Sequence, residues 1–129
     1  SRAVVVHGAG GLDEASLAGP NALRLIESGG IATKEVSPED LGLTRAGLDL
    51  LRGGDCAVNQ QILQNVLQGQ GSLAQTEVVA FNTALVLWAA GLQSDLPAAV
   101  AQAQAVLNEG KAWDKLVALR DALSDGDGE

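Results

Sequence analysis

The spacing of apolar and polar positions changes from block to block along the chain, and each change predicts an element. The opening run Val4-Val5-Val6 is β-branched and apolar without alternation. Such a run favours an extended backbone and suits a strand covered on both faces, as in parallel sheets. His7 marks the end of that strand. Asn21 to Glu27 and Ile31 to Val36 flank Ser28-Gly29-Gly30, a pattern that predicts two strands joined in a hairpin. Ser37-Pro38-Glu39-Asp40 then carries a helix-start signature: a serine cap, proline at the first helical position and acids in the first turn. Gly42 keeps that helix short, and Thr44 to Leu51 is expected to add one or two turns.

The second half reads as helices. Asp55 caps a helix running to about Gln68, with Ile62, Leu63, Val66 and Leu67 at helical spacing and Gly69 as its stop. Asn59, in its first turn, is expected to tie the helix end to a neighbouring loop. Gln70 to Ala74 forms a linker. Thr76 to Ala90 is the most hydrophobic stretch and predicts a central core helix buried nearly all round, with Asn82 as a satisfied amide or a hydrogen-bond partner of a loop. It is shorter than the ~20 residues that a bilayer core requires. Ser94 or Asp95 with Pro97 starts the next helix, which ends at Gly110. The last helix, Ala112 to about Leu123, is expected to pack its apolar side, and Ser124 to Glu129 to form a disordered acidic tail.

Composition sharpens this picture. A chain of 129 residues with 47% hydrophobic side chains is one modest domain with enough apolar material for a core. Two Trp, one Phe and no Tyr make that core aliphatic. Sixteen acids against eight Lys and Arg give a net charge of −8, which argues against nucleic acid or an anionic membrane as partner. Cys56 is the only cysteine, so no internal disulfide forms, and a reducing, cytoplasmic setting fits best. It has no identifiable base partner and is expected as a buried or half-buried thiol rather than a nucleophile. No basic, leader-like segment opens the chain.

Candidate chemistry concentrates in Gly8-Ala9-Gly10-Gly11-Leu12-Asp13-Glu14, a glycine-rich loop after the first strand. Two readings stand on the residues alone. In one, Asp13 and Glu14 turn toward one point and share a hard cation, Mg²⁺, which takes oxygen ligands and usually only one or two protein carboxylates. In the other, Asp13 caps a helix starting at Ala15-Ser16-Leu17, and Glu14 favours its positive end.

Val5-Val6-His7-Gly8, then Gly11-Leu12-Asp13-Glu14 and Gly19-Pro20, resembles the late signature of anthranilate phosphoribosyltransferases. Further matches follow in the same order: Ser37 to Leu43, Arg52-Gly53-Gly54-Asp55, Asn59 with Ile62-Leu63, Leu67-Gln68-Gly69, and Asn82-Thr83-Ala84 with Leu87. The chain departs from the family at Gly10, where many members are acidic, and at Val58-Asn59-Gln60, where a Glu-Asn-Ala run is common. The resemblance implies the C-terminal part of a phosphoribosyltransferase or nucleoside-phosphorylase-like α/β domain over residues 1–123: one parallel strand plus a hairpin, packed with four to five helices. It implies that Asp13 and Glu14 hold Mg²⁺, that the substrates are phosphoribosyl pyrophosphate and anthranilate, and that the enzyme serves tryptophan biosynthesis as a homodimer when complete.

The family's Gly-Thr-Gly-Gly-Asp loop and its lysine- and asparagine-bearing segments do not occur here. The resemblance therefore implies a missing N-terminal portion and a piece inactive alone. Because its first strand reads as apolar on both faces, the isolated piece is expected to self-associate or to bind the complementary N-terminal portion. No general base is assigned, and His7 is expected to be structural. Two other readings remain: a nucleoside-phosphorylase-like transferase with another acceptor, and a non-catalytic binding module. Nucleic-acid-binding relatives need a basic surface, against which the net charge speaks.

Overall fold

A computed structural model describes residues 1–124. Three strands, β1 (Arg2–His7), β2 (Asn21–Glu27) and β3 (Gly30–Val36), form a sheet in the order β1-β2-β3. Four helices follow: α1 (Cys56–Leu67), α2 (Leu73–Ala89), α3 (Leu96–Asn108) and α4 (Lys111–Ser124). Short 3-10 turns at Pro38–Leu41 and Leu48–Leu51 bridge the two halves. The α/β class and the helix count stand as expected. Of the acidic tail, Ser124 closes α4 and the rest lies outside the described residues. No helix among the described residues is long and apolar enough to cross a membrane.

The pairing of the first strand differs from the expected parallel strand. Among the described residues β1 pairs only with β2, antiparallel, from Arg2 opposite Glu27 to His7 opposite Ala22. Its faces alternate, with Val4 and Val6 turned inward and Val5 58% exposed. A valine run specifies an extended backbone but not the direction of the neighbour or the number of covered faces. The hairpin stands: Ser28 (φ 52°) and Gly29 (φ 81°) form a two-residue turn between Glu27 and Gly30, both at the positive φ that a type I′ turn demands.

The core lies between the inner sheet face and α2. Leu23 and Leu25 of β2 share one buried cluster with Phe81, Leu85 and Trp88 of α2 and with Ala99 and Val100 of α3. Burying Phe81 and its aliphatic neighbours stabilises the chain by about 1.5–3 kcal/mol per large side chain. Arg2 bolts β1 to the end of α2. Its Nε lies 2.5 Å from Glu27 Oε1, its Nη1 donates to the carbonyls of Trp88 (3.4 Å) and Gln93 (3.2 Å), and its guanidinium sits 5.3 Å from the Trp88 ring centroid.

Two helical expectations need correction. α2 is not buried all round: Val86 is 65% exposed, because that side lines an open cleft rather than a second layer. Nor does α4 bury a side chain; Trp113, Leu116 and Val117 are half-buried, and Leu119 and Leu123 are exposed.

Candidate functional site

β1 delivers the chain to a tight turn at the sheet's end. Gly8 N donates to the Leu12 carbonyl (2.8 Å), and Gly11 N to that of Gly8 (3.0 Å). Gly10, third in the turn, has φ +87°, a value that an L side chain adopts only with strain. Gly8 is needed for a different reason: a Cβ there would stand 2.0 Å from the Glu14 carbonyl oxygen. The chain thus folds back across its own glycine and presents Asp13 and Glu14 at the surface, both exposed.

No helix follows them. Ala15, Ser16 and Leu17 are buried in irregular backbone, so the helix-capping reading of Asp13 and Glu14 falls. Two carboxamides hold this segment instead. Asn21, fully buried at the start of β2, accepts from Ala9 N (3.2 Å) and Ser16 N (2.7 Å), and donates to the carbonyls of Ser16 (3.0 Å), Gly19 (3.0 Å) and Val36 (3.2 Å). Asn82 of α2 accepts from Ala15 N (2.8 Å) and donates to the carbonyls of Ala15 (2.9 Å) and Val78 (3.0 Å). A neighbouring loop is braced by buried Glu77 of α2, whose carboxylate accepts from Thr44 N at 2.8 Å, while Ala46 N donates to the Leu17 carbonyl at 2.9 Å.

The ion pairs among the described residues are Arg2–Glu27, Arg45–Glu39, Lys111–Glu109 and Arg120–Asp121. Neither carboxylate of the loop is ion-paired among the described residues. Among the described residues no three His, Cys, Asp or Glu side chains gather as a metal cage. A pair of exposed carboxylates fits a cation that keeps most of its waters, as Mg²⁺ does, and does not fit a fully protein-caged ion. Glu14 also lines a cleft of about 580 Å³, walled by Leu12, by Ile62 and Val66 of α1 and by Val79 and Val86 of α2.

The other candidates resolve simply. His7 is exposed at the end of β1. Asn59 clasps Gly54 at the start of its own helix, accepting from Gly54 N (2.9 Å) and donating to its carbonyl (3.0 Å). Cys56 is exposed rather than buried, because the Asp55 cap sets it in the first, outward turn of α1. Glu39 is held below the ordinary glutamate range, chiefly by the hydrogen bond from Arg45. Sequence reasoning passed over Asn21 and Glu77. The only signal was a polar residue beginning an apolar strand and an acid inside an apolar helix.

The profile of the glycosyl transferase family, a/b domain, matches residues 1–113. The chain is 62% identical over 129 residues to an anthranilate phosphoribosyltransferase of Synechococcus sp. (strain CC9902), covering 99% of this chain and 37% of that protein. It superposes on the crystal structure of anthranilate phosphoribosyltransferase from Thermus thermophilus with a TM-score of 0.80 at 33% identity, over 88% of this chain and 33% of that one. The fold also matches the Saccharomyces cerevisiae anthranilate phosphoribosyltransferase solved in complex with PRPP and Mg, with a TM-score of 0.83 at 24% identity, over 95% and 35% of the two chains. The chain thus spans little more than a third of the length of the curated relatives it matches. A profile running through both the acid loop and all three strands places this chain in the glycosyl transferase a/b-domain family.

Proposed function

We propose that this chain is the metal-bearing part of an anthranilate phosphoribosyltransferase, which moves phosphoribosyl from phosphoribosyl pyrophosphate to the anthranilate amine and releases pyrophosphate. The observation that carries the reading is the pair of exposed carboxylates at Asp13 and Glu14, without an ion-pair partner among the described residues, on a loop anchored at both ends. The 62% identity to the Synechococcus protein supports the substrate assignment, and the yeast protein of the same fold, solved with PRPP and Mg, supports the ion. When bound, Mg²⁺ would supply positive charge that stabilises the departing pyrophosphate. Asp13 and Glu14 would hold and orient that ion. They bring no competing cation, because neither is ion-paired among the described residues.

Groups that grip the sugar phosphate and the acceptor belong, in this reading, to a complementary N-terminal portion of the kind the longer relatives carry. Ala3, Val5 and Ile31 on the outer sheet face are exposed and could pack against such a portion. The complete enzyme is assigned to the cytoplasm, and a homodimer is its proposed assembly.

The test uses a chimera in which this chain replaces the matching 37% of the Synechococcus relative. Asp13→Asn and Glu14→Gln should each raise the Mg²⁺ concentration for half-maximal anthranilate consumption by roughly tenfold or more, as when a divalent ion loses one of its few carboxylates. An unchanged Mg²⁺ dependence in both variants would reject the ligand role.

A further inference from the structure

We infer that Asn82 is a positioning residue for the acid pair, acting across the fold from α2; the inference rests on the proposed metal-holding role of Asp13 and Glu14. Its carboxamide meets both backbone polar groups of Ala15, the residue directly after Glu14, accepting at 2.8 Å and donating at 2.9 Å. That paired contact copies one rung of a strand ladder and fixes the peptide groups on either side of Ala15. On the other flank, the bond from Gly8 N to the Leu12 carbonyl (2.8 Å) fixes Leu12. The acid pair is therefore the two-residue span between two pinned points.

α2 is a suitable anchor because its neighbours Phe81, Ala84 and Leu85 lie in the core. Asn82 spends its remaining donor on the Val78 carbonyl, one helical turn back, at 3.0 Å. The side chain is thus held by its own helix before it reaches the loop. Removing it leaves Ser16, gripped by Asn21, as the next fixed point. The loose span then grows by one residue, and Glu14 loses the restraint nearest its own backbone. Asn82 need not touch the ion. A neutral amide also adds no charge beside the pair, so its effect is one of geometry.

The size expected follows from other metal sites, where losing a group that orients a ligand costs about 10–100-fold in affinity. In the chimera, Mn²⁺ added with phosphoribosyl pyrophosphate and followed by electron paramagnetic resonance reports binding without turnover. Asn82→Ala should weaken Mn²⁺ binding about tenfold. Asn82→Ser, which retains a bond back to the Val78 carbonyl and so preserves α2, should do the same if the alanine variant fails to fold. Leu107→Ala removes a buried side chain of α3 outside the loop and should destabilise the protein without changing Mn²⁺ affinity.

Mn²⁺ binding within twofold of the parent in Asn82→Ser, or an equal loss in Leu107→Ala, would overturn the inference. If the parent binds Mn²⁺ no better than Asp13→Asn, the acid-pair reading itself fails and takes this one with it. The two failures are thus separable.

Discussion

The return of the chain across Gly8 gives the sharpest test of the loop geometry. In Gly8→Ala the new methyl carbon would lie 2.0 Å from the Glu14 carbonyl oxygen and 3.2 Å from Leu12 Cβ. Carbon and oxygen ordinarily come no closer than about 3.3 Å, so the carbonyl must retreat by roughly 1.3 Å. It cannot retreat by sliding the whole segment, because Ala15 and Ser16 are held by Asn82 and Asn21. The displacement therefore falls on Leu12 to Glu14 and turns the acid pair. Overpacking of this kind costs about 1–3 kcal/mol, and a misplacement of about 1 Å can cost on the order of a hundredfold in rate. Two measurements apply: urea unfolding of the chain by circular dichroism, and kcat/KM of the chimera against Mg²⁺ concentration. Stability should fall by about 1–3 kcal/mol and kcat/KM by about 10–100-fold. Stability within about 0.5 kcal/mol together with kcat/KM within twofold of the parent would show that the close approach does not exist.

Two further outcomes follow from contacts outside the loop. Arg2→Met removes the Glu27 pair, the stacking on Trp88 and two carbonyl contacts at the end of α2. Urea unfolding should show a loss on the order of 1–2 kcal/mol, and no measurable loss would refute the bolt between β1 and α2. Glu39, lowered chiefly by its hydrogen bond from Arg45, should titrate below an ordinary glutamate in side-chain NMR, and Arg45→Met should move it back up. A carboxylate depressed in the folded state stabilises fully above its unfolded pKa, about 4.3, and loses that contribution as the pH falls through the folded value. Acid unfolding of Arg45→Met should therefore lack the component that the parent shows in that low range; identical acid profiles and an unmoved Glu39 would refute the pairing.

Local signals made much of the chain legible. Asp55 and Asp95 cap α1 and α3 as their position before apolar repeats implies, accepting from Val58 N and Ala98 N, both at 2.9 Å. The Ser28-Gly29 turn sets the hairpin register for the same reason. The start of α2 was legible but passed over: Ser72, within the segment read as a linker, and Gln75, just after it, form a reciprocal capping box, a serine and glutamine three apart. The direction of β1's pairing was not legible, because a valine run carries no information about its neighbour's orientation. Asp13 and Glu14 stood out as adjacent acids after glycines. The grip of Asn82 on Ala15 spans 67 residues, and no spacing rule reaches that far.

The two borders of the sheet are unlike in chemistry. β3 carries Thr33, Lys34 and Glu35 along its rim, and charged side chains on an outer strand discourage lateral pairing with another chain. β1 has no charged side chain between Arg2 and His7 and a single paired side among the described residues; Val5 is exposed there, while Val4 and Val6 turn toward the core. A strand added at the β1 border would meet less charge than one added at β3, and it would lengthen the ribbon at its β1 end while every existing rung stayed in place.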